Sequence, residues 1–247
     1  MKYFIALGCL FASWNAHAQW NDEPSTDTLN YLLKKHVSET GRVNYRGFKE
    51  DSAIFYRYLH QLDSARGRTL PFYINAYNAL VIKSVIEDST LLYNPYPSAS
   101  VVQINGFYDS IHVVAGRSVS LRELERYLLN TYRDARILLA LGRGHLSSPP
   151  LRNKAYEVAT IEKDLTEVTT AFVNSDLGLV IDDNGFKIEM NPIFREFESD
   201  FKRGYANTLV FIRKYVTNRP KVLQIEYAYK QKFDIVYKRM NWNLNKP

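Results

Sequence analysis

The chain has 247 residues with 46% hydrophobic and 23% charged side chains, 32 basic against 26 acidic, and a net charge of +6. That composition excludes a disordered, collagen-like or disulfide-stapled chain and is that of a globular protein. The basic residues are scattered, as in "LRNKAYEVATIEKD" and "FIRKYVTNRPK", so the charge suits weak attraction to an anionic envelope surface but not nucleic acid, which needs a basic block or a recognised motif.

The first twenty residues, "MKYFIALGCLFASWNAHAQW", have a basic start at Lys2, an apolar run from Tyr3 to Trp14 and the small-x-small pattern Ala16-His17-Ala18. This is the layout of a secretory signal peptide over residues 1–18, and it predicts an exported protein whose single globular domain covers 19–247. The apolar run is about twelve residues, whereas a membrane span needs about twenty. Cys9 is the only cysteine and lies inside the segment to be removed. The mature chain is then expected to have no disulfide, no thiolate nucleophile and no cysteine-bound zinc.

In chain order, "PSTDTLNYLLKKHV" offers Ser25, Thr26 and Asp27 as caps, with Leu29, Leu32, Leu33 and Val37 at helical spacing. "ETGRVNY" reads as a turn and short strand, and "KEDSAIFYRYLHQLD" as a second helix. Pro71 suits the first turn of a third helix, "PFYINAYNALVIKSVIED", whose apolar residues nearly encircle it, and such a helix belongs at the centre of a fold. "NGFYDSIHVVAG" suggests a hairpin, "SLRELERYLLNTY" a helix capped by Ser120, and "ARILLALG" a short buried strand or helix, with the strand preferred. "IEKDLTEVTTAFVNS" is amphipathic and helical. "LGLVIDDNGFKIEM" turns at Asp183-Asn184-Gly185 between two alternating arms. Helices or helical turns follow in "PIFREFESDFK", "ANTLVFIRKYV" and "KVLQIEYAYKQKF". The sum is a helix-rich α+β domain with one small antiparallel sheet.

The densest group of polar side chains and unusual backbone is "LGRGHLSSPPL", residues 141 to 151. One reading makes His145 the base for a serine, with backbone amides as an anion site. The other gives Gly142 and Gly144 the positive φ of a turn, the serines the task of satisfying turn backbone, and Pro149-Pro150 a stiff exit. On the central helix, Asn75 and Asn78 share a face, where they either brace loop backbone or touch a ligand. The histidines His36, His60, His112 and His145 show no metal-type spacing, and "GRG" at 142–144 lacks the rest of a dinucleotide or phosphate loop. No metal and no cofactor is expected. The 18 tyrosines read as core packing.

Seven phrases occur in one order: "GRVNYRGFKED", "FYINAYNALVIKSVIE", "SLRELERYLL", "DARILLALG", "SSPPLRNKAY", "NPIFREFESDF" and "MNWNLN". On these the chain, over about residues 30 to 245, resembles domain-of-unknown-function family 547. The resemblance implies a domain type without an established reaction, and often an exported protein among bacterial members. It places recurrent polar residues at Asn75 and Asn78, an acid at Glu125 and an arginine at Arg136. These last two are expected to pair if buried. Family members commonly carry cysteine just before the double proline, where this chain has Ser148. A hydroxyl is a far weaker nucleophile than a thiol unless a base activates it.

Three readings follow. The first is a protein binding a polar or anionic small molecule or peptide in a cleft between the central helix and the 142–150 loop, through Asn75, Asn78, Arg136, Arg143 and Ser147, with His145 alongside. The second is a hydrolase or acyl transferase related to a thiol enzyme, with His145 and Ser148 catalytic. The third is an envelope interaction module without a small-molecule site.

Overall fold

The computed structural model describes residues 23–247 apart from 67–68, 97, 102–105, 183 and 185. The segment read as a signal peptide, with Cys9, lies outside the described residues, as do Asp183 and Gly185 of the expected turn. Among the described residues no helix is long and apolar enough to cross a membrane.

The N-terminal part is helical: α1 (Thr26–His36), α2 (Tyr45–Glu50), α3 (Ser52–Ser64), α4 (Leu70–Glu87) and α5 (Ser89–Leu92). α1 starts where the Ser25 hydroxyl accepts the Asp27 amide, and buries Leu29, Leu32 and Leu33. The strand expected in "ETGRVNY" shrinks to one antiparallel bridge, Val37 to Val43, because Asn44 caps α2 immediately afterwards. α4 begins with Thr69 as cap and Pro71 in its first turn. An unbroken run from Pro71 to Ile82 is buried, with Val85 and Ile86. Each large apolar side chain removed from water there contributes about 1.5–3 kcal/mol, which is why this helix takes the centre.

The hairpin pairs β1 (Ile111–Val114) with β2 (Arg117–Ser120). Ser120 then opens α6 (Leu121–Tyr132) with a capping box, its hydroxyl accepting from the Glu123 amide while Glu123 reaches back to the Ser120 amide. Leu121, Leu124 and Leu128 share the buried face that packs on α4. The segment read as a buried strand is instead the short helix α7 (Ile137–Ala140). Helices surround it and leave no strand edge to pair with, and periodicity cannot separate the two forms in so short an apolar run.

The C-terminal part comprises α8 (Ile161–Asn174), β3 (Leu179–Asp182), β4 (Lys187–Met190), α9 (Ile193–Glu196), α10 (Glu198–Lys202), α11 (Thr208–Tyr215), α12 (Arg219–Lys230) and β5 (Asp234–Tyr237). β3 and β4 form the antiparallel pair expected of their alternating arms. β5 joins β4 in parallel, so there are two small sheets and the second is mixed. Two buried clusters result, one around α4 and one between α8 and the C-terminal elements. The middle helices serve both: Leu128, Ile137 and Leu165 enter the first, while Leu129, Leu138 and Phe172 enter the second.

After β5 the chain returns to the first cluster as a strap. The Val101 amide donates to the Trp242 carbonyl, Leu244 to Ala99, Leu146 to Asn243, and Asn245 to Gly144. The strap thus threads between 99–101 and 144–147 and carries Trp242 to the loop singled out in the sequence.

Candidate functional site

The 141–151 loop is pinned from α4. The Asn78 amide donates to the Ala140 carbonyl at 3.1 Å and its oxygen accepts the Gly142 amide at 2.8 Å. Asn75 does the same for Tyr156, at 2.8 and 2.9 Å. Each asparagine therefore supplies, from a helix, the donor and acceptor that a neighbouring strand would give. Both are bracing residues, and their amides are occupied.

Within the loop, Gly144 has φ +80° with Val81 and Val101 crowding the position of any added Cβ, so glycine is required for backbone and space together. The Ser148 hydroxyl accepts the Arg143 amide at 2.8 Å and donates to the Pro149 carbonyl at 2.9 Å. The Ser147 hydroxyl accepts the Asn241 amide at 2.8 Å. Both serines close the turn and hold the strap.

Arg143 is buried and donates through Nη2 and Nε to one Glu125 oxygen, at 2.6 and 3.1 Å, and through Nη1 to the Leu138 carbonyl at 3.1 Å. Its guanidinium lies over the Phe197 ring, 5.1 Å from the centroid. Glu125 was expected to pair with Arg136. Arg136 instead holds Asp134 and Glu162 on the far side of α7, at 2.6 and 2.8 Å. One turn of helix separates the two arginines from a common site.

Arg143 and His145 meet at a cavity of about 100 Å³, whose other walls are Tyr77, Tyr108, Arg122, Glu125, Glu196 and Trp242. His145 is 3% exposed, and its ring centroid is 4.9 Å from that of Trp242. Burial, then the nearby Arg143 charge, pushes its pKa down to about 4, against a backbone hydrogen bond to Asn241 that favours the protonated ring. The imidazole is neutral at pH 7. Its Nδ1 is buried and has no hydrogen-bond partner, an arrangement that costs about 1–3 kcal/mol unless a ligand or water completes it. The Tyr108 hydroxyl donates to the Arg143 carbonyl at 2.8 Å, and Arg122 holds Asp109 at 2.7 Å. Burial raises the Glu196 carboxyl above its ordinary range, with Arg143 opposing and Glu125 reinforcing.

Of the residues singled out in the sequence, the cavity thus gathers Glu125, Arg143 and His145. Ser147 and Ser148 stand behind it, and Asn75, Asn78 and Arg136 are engaged elsewhere. Glu125 was expected as an acid from the family resemblance, and the walls not assigned to a site were nevertheless in the ordered phrases: Tyr77 in "FYINAYNALVIKSVIE", Arg122 in "SLRELERYLL", Glu196 in "NPIFREFESDF" and Trp242 in "MNWNLN". Tyr108 stands outside them.

A wider surface groove of about 750 Å³ runs beside α1 past Lys34, Lys35, His36, Asn153 and Lys154. There Asp51 holds both Lys35 and His36, and Glu39 holds Asn153. No buried polar atom is left waiting for a partner in that groove among the described residues.

Fold and cavity together define a helix-rich α+β domain with a small polar pocket beside a C-terminal strap. Residues 61–173 match the model of the family described as "Protein of unknown function, DUF547". That segment supplies α4, α6, α7, the loop and all but the last residue of α8. No curated protein and no solved structure matches the chain.

Proposed function

We propose that this is an exported binding protein that takes a small polar group of a molecule or peptide into the cavity between α4, the 142–150 loop and the strap. The observation that carries this reading is His145, a neutral residue of the cavity wall whose Nδ1 is buried without a hydrogen-bond partner. The hydroxyls that a hydrolase would use support binding over chemistry. Ser148 spends its oxygen on Arg143 and Pro149, and His145 Nδ1 bonds to neither serine. A base and nucleophile need a hydrogen bond between them. The anionic form of the ligand is the less supported, since Arg143 and Arg136 already hold carboxylates and an anion would have to displace one.

The test is a panel of small amines, amides, alcohols and carboxylates titrated into the protein while the indole N–H resonance of Trp242 is followed, assigned by its loss in Trp242→Phe. A saturable shift that disappears in His145→Phe, with the fold retained, is the expected result. A panel that leaves the signal unmoved counts against the cavity as a site.

A further inference from the structure

β5 lies at the end of its sheet, in the order β3-β4-β5, and shares no residue with the cavity above. Toward β4, the Asp234 amide donates to the Phe186 carbonyl and the Lys238 amide to the Met190 carbonyl, each at 2.9 Å. Backbone groups alternate sides along a strand, so Ile235 and Tyr237, one step out of phase, turn their N–H and C=O groups away from β4. Among the described residues no group pairs with them.

An open edge is a template for another strand, and proteins commonly blunt it with proline, a bulge or charges. Residues 234–238, "DIVYK", contain no proline or glycine and run beside β4 without a bulge. Ile235 is 46% exposed, and Tyr229, on the wall of the same cleft, is 61% exposed. Asp234 is exposed and has no ion pair among the described residues. The Lys238 ammonium reaches only a carbonyl, that of Asp176.

These five residues are complementary to their own reverse. Across a two-fold axis at Val236, Ile235 meets the partner's Tyr237, Val236 meets the partner's Val236, and Asp234 meets the partner's Lys238. Each Ile235–Tyr237 pair is then edge-facing on both sides and exchanges both backbone hydrogen bonds. Apolar side chains meet apolar ones, and opposite charges face each other at the ends, the arrangement that stabilises cross-strand neighbours. The neighbouring two-fold registers fail. An axis at Ile235 sets Lys238 against the partner's Lys232, and an axis at Tyr237 sets Ile235 against the partner's Arg239.

We infer that β5 is a self-association edge, pairing antiparallel with β5 of a second copy of this chain about a two-fold axis at Val236. The two three-stranded sheets become one continuous sheet, and the contact is isologous, so it closes at a dimer. Lys238 sets the register: it repels a copy that slips toward Lys232 and attracts one that offers Asp234.

The test is sedimentation velocity of the protein from micromolar to near-millimolar concentration, with hydrogen exchange at the Ile235 and Tyr237 amides followed over the same range. The mass is expected to rise toward that of two chains while both amides slow. Asp234→Lys and Lys238→Asp each place like charges opposite one another at both ends, and each is expected to weaken the dimer about tenfold, the scale of two reversed cross-strand charge pairs. Mixing the two single variants, or combining both changes in one chain, returns opposite charges to every pair and is expected to restore association. A monomer at every concentration with both amides exchanging freely overturns the pairing. A monomer whose two amides are protected means that another segment covers the edge, which overturns it equally. A dimer indifferent to both charge changes forms through a different face, and the β5 edge is then not the interface.

Discussion

Arg143 and Glu125 come from a loop and a helix 18 positions apart in sequence, and they meet through two hydrogen bonds to a single carboxylate oxygen. Their side chains are 8% and 13% exposed. The pair forms one wall of the cavity and fixes the loop that carries His145. A buried ion pair that is broken on one side leaves an uncompensated charge, which costs about 3–5 kcal/mol. Glu125→Ala is therefore expected to lower unfolding stability in urea by about that amount. The double change Glu125→Leu with Arg143→Met should cost clearly less than Glu125→Ala alone, because no charge is left behind. Equal losses in the two proteins would show that the pair's charge is not what matters.

The asparagines of α4 predict a different pattern. Each holds a loop by two hydrogen bonds, so Asn75→Ala and Asn78→Ala are each expected to cost about 1–3 kcal/mol. Only Asn78 touches the 142–150 loop. Hydrogen exchange at the Gly142 amide should accelerate in Asn78→Ala more than in Asn75→Ala, and the reverse should hold for the Tyr156 amide. Matching exchange in the two variants would contradict the separate attachments.

His145 makes stability depend on acidity. Its folded pKa is about 4 against an ordinary 6.5, so the unfolded chain binds the proton more readily. The sign is that stability falls as pH drops through 6.5 toward 4, is level below that, and is untouched above 6.5. Between pH 7 and pH 5 this one group accounts for a loss of about 2 kcal/mol. In His145→Phe the fall over that window should be smaller by about this amount. A parallel pH dependence in the two proteins would mean that the imidazole is not held neutral by the fold.

Ser148 stands where the family resemblance implies a cysteine, and it is 4% exposed. Ser148→Cys is expected to give a thiol titrating above the usual value of about 8.5, slow to react with iodoacetamide until the protein unfolds, because burial disfavours the thiolate. A thiol with lowered pKa and fast native-state alkylation would revive the acyl-transfer reading.

Much of the architecture was legible because it is local. The cap at Ser120 followed by Glu123, the Pro71 start and the nearly all-apolar face of 71–86 act within one or two turns of chain, and residue order alone states them. α7 was misread because four buried apolar residues suit a strand or a helix equally until the neighbours are known. The parallel addition of β5 to β4 joins residues 47 positions apart, a pairing that no local pattern announces.

The candidate site divides along the same line. The sequence by itself determined that 142–150 is an irregular loop needing glycine, that two amides on one face of α4 require partners, and that a thiol is absent before Pro149-Pro150. These follow from side-chain chemistry and spacing. Which residues face the cavity was decided only by the tertiary structure. Arg143 took Glu125 rather than leaving it to Arg136, and the strap brought Trp242 beside His145. The reason is physical: a buried charge or acceptor is satisfied by whatever comes within about 3 Å, and only the packing of distant segments determines what that is.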